Sequence, residues 1–313
     1  MAKNSEELSG RPGVHDLKKS LIAVAVPALN PLCRFAMRLN PALTDKLWSK
    51  FVRPKLSWRH FEFTERARFG GLFAGDTFDH IQRAIYYFGV WEPQVGAMIE
   101  RRFRGGLFVD IGANIGYFSI LTSKIPGSYV VAIEPQPRTF ERLRKNVEIN
   151  QARNVRLINA AVTDYTGTAR LYGPVAAEAD NSGMASLYRP SGEFDDVACA
   201  PLSELLREEE IRSVSFIKID VEGAEHLVMK GIFGIMDRLP RTAEVLVELS
   251  VSFGDTRGDD IVGEMRSRGY YAYALEEDRM TGYCHSDPQL AKPFTRLTRR
   301  TDVLFTRVQA DAV

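Results

Sequence analysis

From about residue 105 onward, short apolar runs alternate with longer stretches in which apolar positions recur every three or four residues. Strands are predicted at Leu107 to Ile111, Tyr129 to Ile133, Val155 to Ile158, Val214 to Ile219, Val245 to Leu249, Tyr270 to Ala274 and Asp302 to Thr306. Helices are predicted at Ile115 to Lys124, Pro137 to Asn150, Leu202 to Glu209, Glu222 to Phe233 and Asp259 to Arg268. Two more stretches of β character, Gly167 to Tyr172 and Met184 to Tyr188, flank a polar loop. Strands separated by helices of this kind imply parallel βαβ units with helices on both sheet faces. The expected fold is therefore α/β: a Rossmann-like, doubly wound, mostly parallel seven-stranded sheet whose final strands pair antiparallel.

The first sixty residues follow another pattern. Their longest apolar run, Leu21 to Leu29, is broken by Pro27 and follows Lys18 and Lys19, and a helix pair is predicted over Leu17 to Val26 and Pro31 to Leu39. Crossing a bilayer takes roughly 20 apolar residues, so this run is too short to span one. A signal peptide fits poorly, because the run starts well into the chain and no small-residue cleavage site follows. We read residues 1–74 as a basic, mostly helical N-terminal extension and residues 75–313 as the catalytic domain.

Composition changes this picture in one respect. The formal net charge of +1 over 313 residues excludes general nucleic-acid binding, which needs a basic face to displace counterions. That balance hides an asymmetry: residues 1–60 hold eleven Lys or Arg against four Asp or Glu, and the remainder holds thirty against thirty-six. A +7 segment next to a −6 body leaves two readings open: peripheral contact with an anionic membrane surface, or docking on the acidic body of this chain or of a second copy in a homodimer. The expected location is the cytoplasm, with or without that surface contact. Three cysteines far apart, Cys33, Cys199 and Cys284, argue against a disulfide framework or a structural zinc site.

Chemistry in an open α/β sheet gathers at the carboxyl ends of the strands. Asp110-Ile-Gly112-Ala-Asn114-Ile-Gly116 joins the first of these strands to its helix, and Glu134 ends the next, 24 positions after Asp110. Gly112 and Gly116 permit close backbone approach. Asp110 puts a carboxylate where a G-x-G-x-x-G loop would meet a diphosphate, which suits a cationic ligand. Glu134 is placed to accept ribose hydroxyl protons, in either type of nucleotide site. Asp220 ends the Val214 to Ile219 strand, Glu222 and Glu225 open the next helix, and Glu248 ends the following strand. His226 lies about one turn into that helix and reads as a surface or packed residue.

These blocks resemble class I S-adenosylmethionine-dependent methyltransferases, and more closely the FkbM family. The resemblance is carried by FVDIGANIGYFS (108–119), VVAIEPQPRTFERLRKNVEIN (130–150), NAAVTDYTGTARLY (159–172), NSGMASLY (181–188) and FIKIDVEGAEHLVMKG (216–231), and reaches back to GVWEP (89–93). It implies S-adenosylmethionine as cofactor and methyl transfer to a hydroxyl of a sugar, glycolipid or secondary metabolite. Asp110, Gly112, Asn114, Gly116, Glu134 and Ala161 are the expected cofactor residues. Asp220, Glu248 and Glu222, in that order, are the expected catalytic acids, with no metal required. Asp164-Tyr-Thr-Gly167 is read as a turn, and Asn181-Ser182-Gly183 either as acceptor contact or as an ordinary connection. Two other classes stay open: a nicotinamide-dependent oxidoreductase, and a catalytically silent methyltransferase fold serving as an assembly module.

Overall fold

Continuous apolar β-branched runs make strands buried on both faces, and in the computed structural model they form the middle of one large sheet. The structure describes residues 61–173, 187, 193–249, 257–275, 292–294 and 296–309, together with isolated positions between 32 and 50. Most of Leu17 to Val26 and Pro31 to Leu39, and the loop 181–183 with all of Met184 to Tyr188 except Leu187, lie outside the described residues. The chain divides into two compact units, Met1–Trp58 and Arg59–Val313.

The second unit opens with a hairpin, β1 (Glu62–Arg66) and β2 (Leu72–Asp76), followed by α1 (His80–Phe88) and α2 (Pro93–Arg102). The main sheet then begins with β3 (Gly106–Ile111), α3 (Tyr117–Ser123), β4 (Ser128–Ile133), α4 (Pro137–Ile149) and β5 (Val155–Ile158). A side sheet follows, made of β6 (Ala161–Val162), β7 (Gly167–Tyr172) and β8 (Phe194–Ala200) in the order β6-β8-β7. Next come α5 (Leu202–Leu205), α6 (Glu208–Ile211), β9 (Val214–Ile219), α7 (Glu225–Phe233), β10 (Glu244–Leu249), α8 (Arg257–Ser267), β11 (Tyr271–Ala274), β12 (Lys292–Pro293) and β13 (Thr301–Thr306).

The eight strands of the main sheet are ordered β12-β11-β13-β10-β9-β3-β4-β5. Pairing is parallel from β10 through β9, β3 and β4 to β5, and antiparallel from β10 outward through β13, β11 and β12. These are the seven strands read from the pattern plus the two-residue edge strand β12. The chain moves outward from β3 to β5 and then returns to lay β9 on the other side of β3, so the topological switch point falls between β3 and β9. One face of the sheet packs Val109, Ile217, Val245 and Val247 against Val228, Ile232 and Met265 of α7 and α8. On the other, Phe108 and Phe216 stack at 5.5 Å beside Ile99 of α2 and Phe118 of α3.

Four differences from the sequence reading have local causes. The predicted helix over 202–209 is two short turns, because Leu206 and Arg207 are extended between them. The helix expected from Glu222 starts at Glu225, since Glu222 (φ 49°) and Gly223 (φ 95°) are both left-handed. Strand β8 was not anticipated: its run Phe194-Asp-Asp-Val-Ala-Cys-Ala has polar residues at its exposed start, which weakens the apolar signal. The boundary at 74/75 cuts through β2 (Leu72–Asp76), whose free edge packs on α4 and the residue after it. There Asn150 Oδ1 accepts from Leu72 N and Asn146 Oδ1 from Ala74 N, both at 2.8 Å, and Asn146 Nδ2 donates to Ile115 O at 2.9 Å. Two asparagine side chains thus serve as the missing neighbour strand.

Candidate functional site

A cavity of about 330 Å³ opens at the switch point, over the carboxyl ends of β3, β4 and β9. Its wall begins with the turn after β3. Gly112 has φ 78° and so close a neighbour that an added Cβ would lie 1.8 Å from the Asp220 carbonyl oxygen. Only glycine lets β3 and β9 approach this closely while the turn folds back over β4, where Gly112 N and Ala113 N both donate to Ile133 O at 3.0 Å. Asn114 continues the turn in left-handed conformation (φ 51°). Its backbone N–H donates to Glu134 Oε2 at 2.9 Å, while Gln136 N donates to Oε1 at the same distance. Glu134 therefore braces the glycine turn and still has an acceptor lone pair left on each oxygen. Burial, only partly offset by those two N–H groups, pushes its carboxyl up to about 7.

Asp110 departs from expectation. It is almost fully buried and does not line the cavity; its Oδ2 accepts from Ser119 Oγ of α3 at 2.6 Å, and its Oδ1 has no hydrogen-bond partner. Burial raises its pKa, against the pull of the nearby Lys218 charge. The side chain turns toward α3, where Ser119 binds it. Gly116 is also off the wall. It enters α3 at φ 89°, and a Cβ there would meet Leu143 Cδ1 at 2.5 Å, so its role is helix packing.

The acids at the other strand tips converge as expected. Asp220, Glu222 and Glu248 all line the cavity, and each offers an oxygen within 4.8 Å of the others'. Register explains this: Val247 pairs with Ile219, which puts Glu248 level with Asp220, and Glu248 pairs with Asp302 of β13. Two cations answer them. Lys218 Nζ lies 3.1 Å from Asp220 Oδ2 and 4.9 Å from the centre of the Phe118 ring. Arg300 reaches Glu222 Oε1 at 3.0 Å and Glu248 Oε1 at 2.6 Å, with a second contact to Glu248 Oε2.

Acids outnumber cations, and this sets the protonation of the cluster. Burial would discharge Asp220 and Lys218 alike, yet their mutual attraction outweighs it: Asp220 falls below the ordinary carboxylate range and Lys218 rises above the ordinary ammonium range. Glu248 is pushed up instead, by burial first and by the Asp220 charge second, and Arg300 does not fully compensate. Glu92, at the entry to α2, is raised as well, again by burial and then Asp220.

Ala160, Ala161, Val162 and Leu171 make the apolar end of the wall beyond β5, as expected for Ala161, and His80 and Trp91 stand at another part of it. Asp164 lies off this cavity, paired with Lys230 at 2.6 Å. His226 is also absent from the wall and meets Arg257 Nη1 through Nδ1 at 3.4 Å. Sequence reasoning missed three charged wall residues, Glu92, Lys218 and Arg300. Glu92 and Lys218 stand inside motifs quoted above, but nothing in their spacing separates them from structural positions. Arg300 has no local signal and reaches the cavity only because β13 lies next to β10.

Residues 110–271, just over half the chain, match the Methyltransferase FkbM domain. The chain belongs to the FkbM methyltransferase family. It is similar to "Methyltransferase 1" of Beauveria bassiana (strain ARSEF 2860), 31% identical over 170 residues that cover 47% of this chain and 66% of that protein. It is also similar to "31-O-demethyl-FK506 methyltransferase FkbM" of Streptomyces tacrolimicus, 27% identical over 206 residues, 57% of this chain and 77% of that protein. The alignment with the Beauveria protein thus spans just under two thirds of that relative's length. Among solved structures, a TehB-like SAM-dependent methyltransferase from Corynebacterium glutamicum matches over 72% of this chain and 93% of its own, at 13% identity and a TM-score of 0.41.

Proposed function

We propose that this protein is an S-adenosylmethionine-dependent methyltransferase whose acceptor is a hydroxyl group on a sugar, glycolipid or secondary metabolite. The observation that carries the reading is the acid-rich cavity closed by the Gly112 turn, in a chain of the FkbM family. The wall fits the cofactor on three counts. Glu134 has lone pairs for ribose hydroxyls, Ala160 and Ala161 leave room for a flat base, and the surplus of carboxylates over Lys218 and Arg300 suits a cation. That surplus disfavours a nicotinamide dinucleotide, whose diphosphate would meet like charge. Oxygen as acceptor atom gains support from the name of the Streptomyces relative.

When bound, S-adenosylmethionine supplies a methyl group on a sulfonium, an electrophile needing little covalent help. What the protein adds is alignment, which can contribute several kcal/mol, and a place for the proton that the acceptor hydroxyl loses. Asp220 is the first choice for that place, because it stays ionised on the cavity wall, and Glu248 beside it shares the hydrogen bond. Arg300 bridges Glu222 and Glu248, and our reading needs no metal ion.

Labelled S-adenosylmethionine incubated with the protein and a lipid and metabolite extract of its source should transfer label to one fraction. On that fraction, Asp220→Asn is expected to lower turnover by at least a hundredfold while donor affinity changes less than threefold. A chelator should leave wild-type turnover unchanged; loss of activity restored by magnesium would instead assign the acid cluster to a metal. Donor binding with no transfer to any fraction would favour the silent assembly module.

For residues 1–60 we propose reversible contact with an anionic membrane surface, supported by their charge alone. No helix among the described residues is long and apolar enough to cross a membrane. The full chain should float with phosphatidylglycerol vesicles at low salt and be released at high salt, as exposed charges are screened. Replacing the basic residues of this segment with glutamine should abolish flotation. Indifference to the vesicles even at low salt would overturn the idea and leave docking on this chain or a second copy.

A further inference from the structure

Glu92 is the wall residue that the mechanism above does not use. Its backbone is left-handed, φ 39° and ψ 68°, a conformation rare for a side chain this long. It is rarer still before a proline, which favours extended backbone in the residue preceding it. Two contacts hold the turn in place. The backbone of Trp91 hydrogen-bonds the buried Tyr117 hydroxyl, and the Trp91 ring meets the edge of His80 at 5.7 Å. Strained residues persist where the surroundings over-determine them, and such positions cluster at ligand clamps. Asn114 and Glu222, two of the other three non-glycine residues with positive φ, line the same cavity.

What this strain achieves is to place a carboxyl on the cavity wall with no cation assigned to it. Among the described residues the Glu92 side chain makes no hydrogen bond or salt bridge. Lys218 is committed to Asp220, and Arg300 to Glu222 and Glu248. The charges that act on Glu92 are Asp220 and Asp302, which repel it, and Lys218 and Arg300, which attract it less. Lys218 and Asp220 stand at the carboxyl end of β9, and Arg300 and Asp302 in the turn before β13 and at its start. A donor whose ribose lay at Glu134 and whose base lay at Ala161 would leave its amino-acid end for the part of the wall that Glu92, Lys218 and Asp220 line.

We propose that Glu92 binds the α-ammonium group of the methyl donor and is a determinant of donor affinity. The assignment rests on reading the cavity as the donor site. Of the two positive centres in S-adenosylmethionine only the ammonium has N–H groups to donate, and charge-assisted N–H···O bonds are the stronger kind. Burial and Asp220 hold the Glu92 carboxyl toward its protonated form, and an arriving ammonium reverses that preference.

Calorimetry on the full chain with three ligands tests this. Glu92→Gln keeps the size and shape of the side chain but removes its charge. It should weaken S-adenosylmethionine and S-adenosylhomocysteine alike, each at least tenfold, because both carry the ammonium. Affinity for 5′-methylthioadenosine, which lacks the amino-acid end, should stay within twofold. Independently of any variant, wild-type protein should bind a deaminated S-adenosylhomocysteine analogue at least tenfold more weakly than S-adenosylhomocysteine itself. Unchanged affinity for S-adenosylhomocysteine in Glu92→Gln would overturn the proposal. So would equal loss of all three ligands, which would mark a structural role for the turn. Should wild-type protein bind none of the three, the donor reading itself fails, and that failure is distinguishable because it precedes any substitution.

Discussion

Replacing Glu134 with alanine is expected to weaken binding of S-adenosylmethionine by at least tenfold. The charge-assisted hydrogen bonds it would offer the ribose are worth about 1.5 to 3 kcal/mol. Its loss also frees the backbone N–H groups of Asn114 and Gln136, which hold the glycine turn in shape. The wild-type protein should show a steeper pH dependence than the variant. Because burial holds the Glu134 carboxyl up to about 7 against an ordinary 4.5, donor affinity should climb between about pH 6 and 8 as the carboxylate forms. Stability without donor should move the other way. The folded state binds this proton more tightly than the unfolded chain, so unfolding free energy falls as pH rises from about 4.5 to about 7. Calorimetric affinities at three pH values, with parallel denaturant titrations, check both. An affinity that is flat with pH and equal in the two proteins would remove Glu134 from the site.

Alanine at Gly112 is the second substitution with a large expected effect. The new Cβ would lie 1.8 Å from the Asp220 carbonyl oxygen, at a φ of 78° that L side chains rarely adopt. Backbone cannot give way there cheaply, because Asp220 N is itself bonded to Ile111 O at 3.0 Å. Overpacking costs roughly 1 to 3 kcal/mol and the left-handed backbone about 1 to 2 more. For a domain of this size the midpoint of thermal unfolding should drop by about 5 to 15 °C. Donor binding should fall beyond calorimetric detection at temperatures where the variant is still folded, since Gly112 and Asp220 adjoin in the cavity wall and the new Cβ would push them apart. A variant with wild-type affinity would mean that the turn does not touch the donor. Alanine at Gly263, where an added Cβ meets nothing within 4 Å, is the matched control.

The sequence alone determined the α/β class, the order of the central strands' elements and the place of the site. Those features are local: continuous apolar runs can only become strands buried on both faces, and a glycine turn with an acid at the next strand tip marks the carboxyl edge. It also identified Gly112, Asn114, Glu134, Ala161, Asp220, Glu222 and Glu248, which the fold brings to one cavity. The tertiary structure alone decided which way each side chain turns. Asp110 stands at a strand tip as the pattern implies, but its carboxyl is bound by Ser119 of α3 and does not line the cavity. Gly116 packs against Leu143, where an added Cβ would lie 2.5 Å from Cδ1. Arg300 enters from a strand placed beside β10 by antiparallel pairing, and Glu92 from a helix entry held by Tyr117. Their contacts join residues far apart in sequence, so no periodicity records them. Protonation is likewise a property of the assembled cluster: whether Asp220 or Glu248 keeps its charge depends on burial and on the cations that β9 and the turn before β13 bring within reach.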